Sequence, residues 1–301
     1  MMLPGLPGLS DLRIGFIGGG RLALALAIAC RSAGLRVASV ASRRRESAAA
    51  FCGQVEGCRA SDAQAVSATC DLVFITTRDD MIESIAASVR WRPGMAVVHC
   101  SGATSLSALD SAVRDGALTG GFHPMQSFGD PLAAVRSLPG CVISAEAPDA
   151  ELARVLGELI ERLGCHANWL PPGVRARYHA AAGYPSQFIN VLLREAVSIW
   201  STWGVAPEVA LKAFLPMARG TLDSIEARGL ADSMPGPVSR GDAKTVAAHV
   251  AALDALGPAH RAFYTSLCGR TVDLAMERAQ GLDDDACRTI RATLAEESSS
   301  G

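Results

Sequence analysis

An alternation of two patterns along residues 12–170 is the strongest constraint on how this chain can fold. Short apolar or β-branched runs are separated by stretches with helical periodicity. The clearest of these runs are 13–17, 36–41, 71–76, 95–100, 118–122 and 141–144. Continuous apolar runs that are joined through helices are typical of a mainly parallel sheet with both faces covered. This part of the chain therefore predicts an α/β domain of the Rossmann type.

The pattern changes at a Pro-Pro-Gly sequence, residues 171–173. From residue 174 to about 297 the chain has long helical patterns rich in Ala and Leu, and we find no convincing strand there. Consecutive Pro and Gly residues interrupt regular structure and are common between domains. We therefore predict a Rossmann-like nucleotide-binding domain at residues 1–172. An all-helical domain for substrate binding and dimerisation is predicted at residues 173–297.

The composition excludes several classes of protein. Of the 301 residues 49% are hydrophobic, and the net charge is -2, so intrinsic disorder and a basic nucleic-acid-binding surface are excluded. The nine cysteines form no C-x-x-C pair, and we predict no metal site. The sequence contains neither a secretion signal nor an apolar stretch of the roughly 20 residues that span a bilayer. We therefore expect a cytoplasmic protein with no membrane partner.

A glycine-rich turn follows the first predicted strand, where Gly18, Gly20 and Ala23 form a G-x-G-x-x-A pattern. In a dinucleotide-binding turn the first glycine permits a tight bend and the second lets the backbone approach a pyrophosphate. The third small residue lets the helix pack close to the strand, and the helix N-terminus directs free N–H groups at the phosphates. We therefore predict a dinucleotide site whose further cofactor-binding residues are Gly19, Arg21 and Leu22.

The end of the second predicted strand indicates which dinucleotide binds. An NAD site has Asp or Glu there to bind the ribose 2′-hydroxyl. This chain instead has Ser42, Arg43 and Arg44, with no acid before Glu46. A hydroxyl and consecutive guanidinium groups suit a 2′-phosphate, although an exposed basic loop is an alternative interpretation. We predict NADP(H) in preference to NAD(H).

Four further motifs follow one another along the chain: VHCSGA at 98–103, GFHPMQSF at 121–128, YHAAA at 178–182 and GPVSRGD at 236–242. Together they resemble a bacterial family in which a Rossmann-like domain precedes the domain of unknown function 2520. The resemblance implies an NADP-dependent oxidoreductase of undefined substrate. Its architecture is similar to pyrroline-5-carboxylate reductase, ketopantoate reductase and 6-phosphogluconate dehydrogenase-like enzymes. The chain departs from the family pattern at 183–187, where Gly-Tyr-Pro-Ser-Gln replaces the expected Ala-Ser-Asn.

The segment that begins at Tyr178 is the best candidate for the chemistry. If it forms one helix, four polar residues and one glycine fall within an arc of about 100°. These residues are His179, Gly183, Ser186, Gln187 and Asn190. A polar stripe on an otherwise apolar helix is what the wall of an interdomain cleft requires, and a solvent-facing stripe is the alternative. We expect Pro185 to kink this helix.

Specific roles follow for these residues. We predict that His179 donates a proton to the substrate, because a pKa near 6.5 lets histidine give and regain a proton at neutral pH. The alternative donor is His123, which precedes a proline at the end of a strand, where ligand crevices form. Ser186 and Gln187 are predicted to orient the substrate.

Arg240 lies in an irregular Pro- and Gly-rich segment of the helical domain. We predict that it holds an anionic group of the substrate. A salt bridge to Asp242 or a capping role is the alternative. Residues at the ends of two other predicted strands are expected to pass beside the nicotinamide. These residues are Thr76, Thr77, Ser101 and Gly102. His99 lies deeper in its strand, and we interpret it as structural.

The sequence thus predicts an NADP(H)-dependent oxidoreductase that transfers a hydride to or from a C=O or C=N bond. The substrate is expected to be a small, anionic molecule in an interdomain cleft. A non-catalytic NADP(H)-binding regulatory protein is the competing hypothesis, and a reduced deazaflavin in place of NADPH is a third. The helices beyond residue 174 resemble the dimerising segments of the related reductases, so we predict a homodimer.

Overall fold

The computed structural model describes residues 5–278 and 280–295 and divides the chain into two compact units, between Tyr184 and Pro185. The predicted domain limits at residues 1 and 297 lie outside the described residues. A helix that follows the Pro-Pro-Gly sequence belongs to the first unit, so the two units divide after the predicted boundary at 172/173. That boundary stays a prediction.

An eight-stranded sheet forms the centre of the first unit. Its strands are β1 (Arg13–Ile17), β2 (Arg36–Ala41), β3 (Arg59–Ser61), β4 (Leu72–Ile75), β5 (Ala96–His99), β6 (Leu118–Pro124), β7 (Val142–Glu146) and β8 (His166–Trp169). Their order across the sheet is β3-β2-β1-β4-β5-β6-β7-β8. Strands β1, β4, β5 and β6 are parallel, so their C-terminal ends lie at one edge. Strand β7 is antiparallel to β6 and places Ser144 opposite His123.

Helices connect these strands. They are α1 (Arg21–Ser32), α2 (Arg45–Cys52), α3 (Ala63–Thr69), α4 (Ile82–Ser88), α5 (Asp110–Arg114), α6 (Pro131–Arg136), α7 (Ala150–Arg162) and α8 (Arg175–Gly183). The carboxylates of Asp62, Asp130 and Asp149 accept backbone N–H groups at the starts of α3, α6 and α7. These side chains satisfy donors that a helix start leaves unpaired, which explains where the three helices begin.

The core of the first unit lies on the middle strands, and every residue of β4 and β5 is buried. Phe74 stacks on Phe16 at a ring-centroid distance of 5.4 Å and meets the edge of Phe122 at 5.3 Å. The predicted α/β fold with a mainly parallel sheet is therefore confirmed. The sequence does not predict β3 and β8, because both are short strands with no buried residue.

The second unit is helical in its described residues, as predicted. Its helices are α9 (Gln187–Ser201), α10 (Pro207–Arg228), α11 (Ala243–Asp254), α12 (Pro258–Met276) and α13 (Asp284–Ala295). A small apolar core that includes Val246, Val272 and Ile290 joins the last three helices. No helix in the described part of the chain is long and apolar enough to cross a membrane.

The prediction of one kinked helix through Pro185 is wrong. Helix α8 ends at Gly183 and α9 begins at Gln187, so the chain leaves helical structure between them. Proline lacks an N–H donor and its ring clashes with the preceding turn, which can end a helix as well as bend it. The predicted stripe is therefore divided, with His179 on α8 and Asn190 on α9.

Candidate functional site

The turn after β1 contains a position that requires glycine. Gly18 has a φ of +115°, and a Cβ there would lie 2.7 Å from the carbonyl carbon of Thr76. The Thr76 hydroxyl donates to the Gly18 carbonyl at 2.8 Å, while the Gly18 N–H donates to the Ala41 carbonyl at 2.8 Å. These bonds fix the turn between the ends of β2 and β4.

Gly20 precedes α1 and has surroundings that fit a phosphate group. Its φ of -81° is ordinary, and an added Cβ would meet no described atom within 4 Å. The start of α1 has no side-chain cap and no acidic residue in its first turn. Its first N–H groups are therefore available to an anion. Open space at an uncapped helix start is what a pyrophosphate requires, so the residues present fit a dinucleotide.

Two other residues of the turn use their side chains elsewhere. Arg21 donates to the Gly129 carbonyl at 3.2 Å, and Leu22 packs against the apolar core. Because both stand in the first turn of α1, their backbone N–H groups remain the atoms that could bind a phosphate.

The basic residues predicted to bind a 2′-phosphate lie beside the same turn. A Cβ on Gly19 would stand 3.4 Å from the Ser42 Cβ, so the end of β2 is next to the glycines. The side chains of Arg43 and Arg44 are exposed, and α2 starts immediately after them. The Ser42 hydroxyl is thus next to the dinucleotide turn, and two exposed arginines follow it directly in the chain.

The ends of β4 and β5 provide polar groups at this edge. The Thr77 hydroxyl is buried and has no hydrogen-bond partner among the described residues. The Ser101 hydroxyl accepts the N–H groups of Ala103 and Thr104 at 3.2 and 2.9 Å, so it stabilises its own turn. The predicted cofactor contacts of Ser101 and Thr77 stay predictions.

Gly102 is enclosed by two imidazoles. A Cβ on this residue would overlap the Cδ2 edge of His179 and would stand 3.0 Å from the Nε2 and Cε1 atoms of His123. The two histidine rings meet edge to face with centroids 5.9 Å apart. The structure therefore brings together both predicted proton donors and Gly102. His179 is exposed, whereas His123 is half-buried.

Tyr178 contacts His123 directly, a role that the sequence reasoning missed. The Tyr178 hydroxyl and His123 Nδ1 are 2.6 Å apart, and their rings meet at 83°. Burial raises the pKa of the Tyr178 hydroxyl, so this group is neutral at pH 7. Tyr178 stands beside His179 in the YHAAA motif, and this neighbourhood is the signal that could have identified it.

A buried arginine ties α8 to the sheet. Arg175 donates to Glu146 Oε2 through Nε and Nη2 at 2.9 and 2.7 Å and to the Ser101 carbonyl through Nη1 at 2.9 Å. A Cβ on Gly121 would overlap the guanidinium, so a larger residue there would displace Arg175 from its present position. This link holds the start of α8, and with it Tyr178, over the ends of β5 and β7.

Burial keeps two histidines of this region neutral. Desolvation is the main cause that lowers the pKa of His123 to about 4, and electrostatic repulsion between its protonated ring and the neighbouring cationic side chains, Arg175 among them, acts in the same direction. Desolvation is the main cause that lowers the pKa of His99 to about 3, and electrostatic repulsion from the Arg175 guanidinium acts in the same direction. His99 is fully buried within β5, as its structural interpretation predicts. His123 therefore lacks the pKa near 6.5 that suits a proton donor at neutral pH.

The remaining predicted residues belong to the second unit. Ser186 and Gln187 stand at the start of α9, and Arg240 is an exposed residue of a short 3-10 turn before α11. Asp242 caps α11 by accepting the N–H and hydroxyl of Thr245 at 3.0 and 2.6 Å. The substrate contacts predicted for Ser186, Gln187 and Arg240 stay predictions.

Comparison with known families agrees with the predicted resemblance. Residues 13–101 match the family model described as NADP oxidoreductase coenzyme F420-dependent, and residues 141–271 match Domain of unknown function (DUF2520). None of the curated proteins matches the chain. The chain thus joins a segment of the NADP oxidoreductase family to a DUF2520 segment. The first match confirms NADP(H) as the cofactor class.

Solved structures share the fold over most of the chain. A Thermotoga maritima protein is 21% identical with a TM-score of 0.71, covering 87% of this chain and 98% of its own. A Bacteroides fragilis protein provisionally assigned as an NADP oxidoreductase is 23% identical with a TM-score of 0.67, covering 88% and 99%. Plasmodium falciparum pyrroline carboxylate reductase, solved with NADP bound, is 12% identical with a TM-score of 0.60, covering 96% and 100%. At these identities the similarity establishes the fold alone.

Proposed function

We propose that this chain, which combines an NADP oxidoreductase segment with a DUF2520 segment, is an NADPH-dependent reductase of a small, anionic carbonyl or imine compound. The reverse dehydrogenase reaction uses the same site. The bacterial, plasmodial and fungal neighbours include a pyrroline carboxylate reductase and a reductive aminase, and both are oxidoreductases.

One observation carries this proposal. A glycine turn with an uncapped helix start and a pair of imidazoles occur at the same C-terminal edge of one sheet. Ligands of open α/β sheets bind at this edge. A protein that only senses the nucleotide needs the turn of Gly18 and Gly20, but it has no need of acid–base groups nearby.

When bound, NADPH supplies the hydride, while residues of the chain bind the cofactor, donate the proton and orient the substrate. The N–H groups at the start of α1 would hold the pyrophosphate, and Arg43 and Arg44 the 2′-phosphate. His179, which is exposed, would give a proton to the substrate heteroatom and regain one from water. His123 is the alternative donor. Orienting the substrate is the proposed role of Ser186, Gln187 and Arg240.

Turnover by single variants tests this proposal. Small oxo acids and cyclic imines serve as candidate substrates, and the rate of NADPH oxidation is measured for each. The native protein is compared with the variants His179→Gln and His123→Gln. General acid catalysis contributes about 10²- to 10⁴-fold, so His179→Gln is expected to lower turnover by that order and to bind NADPH as before. His166→Gln is a matched control, because that exposed histidine stands on edge strand β8.

Full turnover by His179→Gln would remove that residue from the chemistry, and a collapse in His123→Gln alone would transfer the role to His123. Binding of NADPH without oxidation of any compound in the set would instead favour the non-catalytic regulatory protein. The same titration with coenzyme F420 tests the deazaflavin hypothesis, since the matched family description names both cofactors.

A further inference from the structure

Two cysteines stand beside each other where the neighbouring strands β7 and β8 begin. Ile143 on β7 is opposite Ala167 on β8 in a parallel register, and Cys141 and Cys165 come two residues earlier on the two segments. The His166 N–H donates to the Cys141 carbonyl at 2.9 Å, so the two segments are still paired at this end. Residues two apart share a face of a sheet, and neighbouring strands are about 4.8 Å apart. The two cysteines are therefore adjacent and on the same face.

Hydrogen bonds hold both thiols at one turn. The Leu138 carbonyl accepts the Cys165 thiol at 3.2 Å and the Cys141 N–H at 2.9 Å. The Cys141 thiol donates to the carbonyl of the preceding residue of that turn, Ser137, at 2.9 Å. A disulfide requires Cα atoms about 4.4–6.8 Å apart, and adjacent strands provide that separation.

The two thiols differ in accessibility. Cys141 is half-buried, so a small molecule in solution can reach its sulfur, whereas Cys165 is buried in the apolar core of the first unit. Burial raises the pKa of Cys165 to about 11, and a protonated thiol does not react from solution. Oxidation is therefore expected to begin at Cys141. Cys165 would follow because a thiol that is held beside a disulfide reacts at a high effective concentration.

We propose that Cys141 and Cys165 are a redox pair that forms a disulfide by exchange with a small-molecule disulfide such as oxidised glutathione. The Cys141 thiol loses its proton and its sulfur attacks one glutathione sulfur, so that the S–S bond of glutathione breaks and one glutathione leaves. Cys165 then loses its proton, its sulfur attacks the Cys141 sulfur, and the second glutathione leaves. The two cysteines lose two electrons, and their two protons pass to the two glutathione thiols.

The new bond would fasten the edge of the sheet. Strand β8 buries none of its residues, and α7 separates it from β7 along the chain. A cross-link between the starts of these strands restricts the unfolded chain and so stabilises the folded one. Neither thiol has a role in the proposed reduction, so the redox pair stands or fails independently of that reaction.

The test is peptide mapping of the full chain after incubation with oxidised glutathione. Remaining thiols are alkylated, and the protein is digested and analysed by mass spectrometry without reduction. We expect the native protein to give two peptides joined through Cys141 and Cys165. Cys165→Ser should stop after the first step and keep glutathione on Cys141, whereas Cys141→Ser should leave Cys165 unmodified. Cys52→Ser is the matched control, because Cys52 is another half-buried thiol and its loss should leave the joined peptides unchanged.

Urea denaturation measures the effect of the bond. The midpoint of the native protein should rise by on the order of 1 M after oxidation, and that of Cys141→Ser should stay the same. An oxidised native protein without a bond between Cys141 and Cys165 would overturn the inference, whether Cys141 carries glutathione or remains a thiol. An unchanged or lower midpoint in the cross-linked protein would overturn the proposed stabilisation of the sheet edge.

Discussion

The two outer glycines of the turn after β1 should respond in opposite ways to alanine. At Gly18 the φ of +115° is strained for any L side chain, and the Cβ would lie 2.7 to 2.9 Å from backbone atoms of residues 76 and 77 that cannot move independently. A left-handed conformation alone costs about 1–2 kcal/mol, so with the overlap we expect Gly18→Ala to destabilise the fold by at least about 2 kcal/mol.

At Gly20 the same substitution should barely change stability. The φ of -81° is ordinary and the Cβ meets no described atom within 4 Å. A less favourable N-cap and a less flexible unfolded chain have opposite effects of about 0.5–1 kcal/mol each. The added methyl group would instead occupy the space proposed for the pyrophosphate. We expect NADPH affinity to fall by at least about tenfold, or 1.4 kcal/mol.

Urea denaturation and calorimetric titration with NADPH separate these effects in the two variants. We expect Gly18→Ala to lose stability, and Gly20→Ala to lose NADPH affinity while it keeps its stability. Native-like NADPH affinity in Gly20→Ala would refute the assignment of this turn to the cofactor. A Gly18→Ala protein of native stability would refute the conformational argument.

Three further predictions concern stability and assembly. Burial lowers the pKa of His99 to about 3 and that of His123 to about 4. As the pH falls, both histidines are therefore protonated in the unfolded chain before they are protonated in the folded protein. The free energy of unfolding is therefore highest above pH 6.5 and should fall as the pH drops toward 3, and His99 accounts for on the order of 4 kcal/mol of that fall. Urea denaturation at a series of acidic pH values should show a smaller fall for His99→Leu. Arg175→Met leaves the half-buried carboxylate of Glu146 unpaired, so the free energy of unfolding measured in urea should fall by about 3 kcal/mol. Arg154→Met, which removes an exposed ion pair with Glu158, should lower it by less than about 1 kcal/mol. We also predict a homodimer through residues beyond 174, and light scattering that gives the monomer mass of 31.3 kDa at micromolar concentration would contradict it.

The sequence predicts the middle of the sheet well, because β1, β4 and β5 are buried on both faces and so appear as continuous apolar runs. The edge strands β3 and β8 bury no residue and lack such a signal. The orientation of β7 depends on how the chain returns after β6, which apolar periodicity does not encode.

The candidate site is only partly predictable for a similar reason. Gly18, Gly20 and the two histidines stand out through local motifs, and the structure places both histidines around Gly102. The hydrogen-bond partner of His123, Tyr178, lies 55 positions away along the chain, on α8, so no local pattern indicates that the two side chains meet.

In the proposed cofactor site, NADPH binds through the turn after β1 and the arginines after β2. Calorimetric titration with NADPH and with NADH, for the native protein and for a variant with Arg43→Ala and Arg44→Ala, tests this site. Hydrogen bonds to charged groups contribute about 1.5–3 kcal/mol each. We predict tighter binding of NADPH than NADH by the native protein, and a loss of at least about tenfold for NADPH alone in the variant. Tighter binding of NADH by the native protein, or an equal loss for both nucleotides in the variant, would show that these residues do not bind the 2′-phosphate of NADPH.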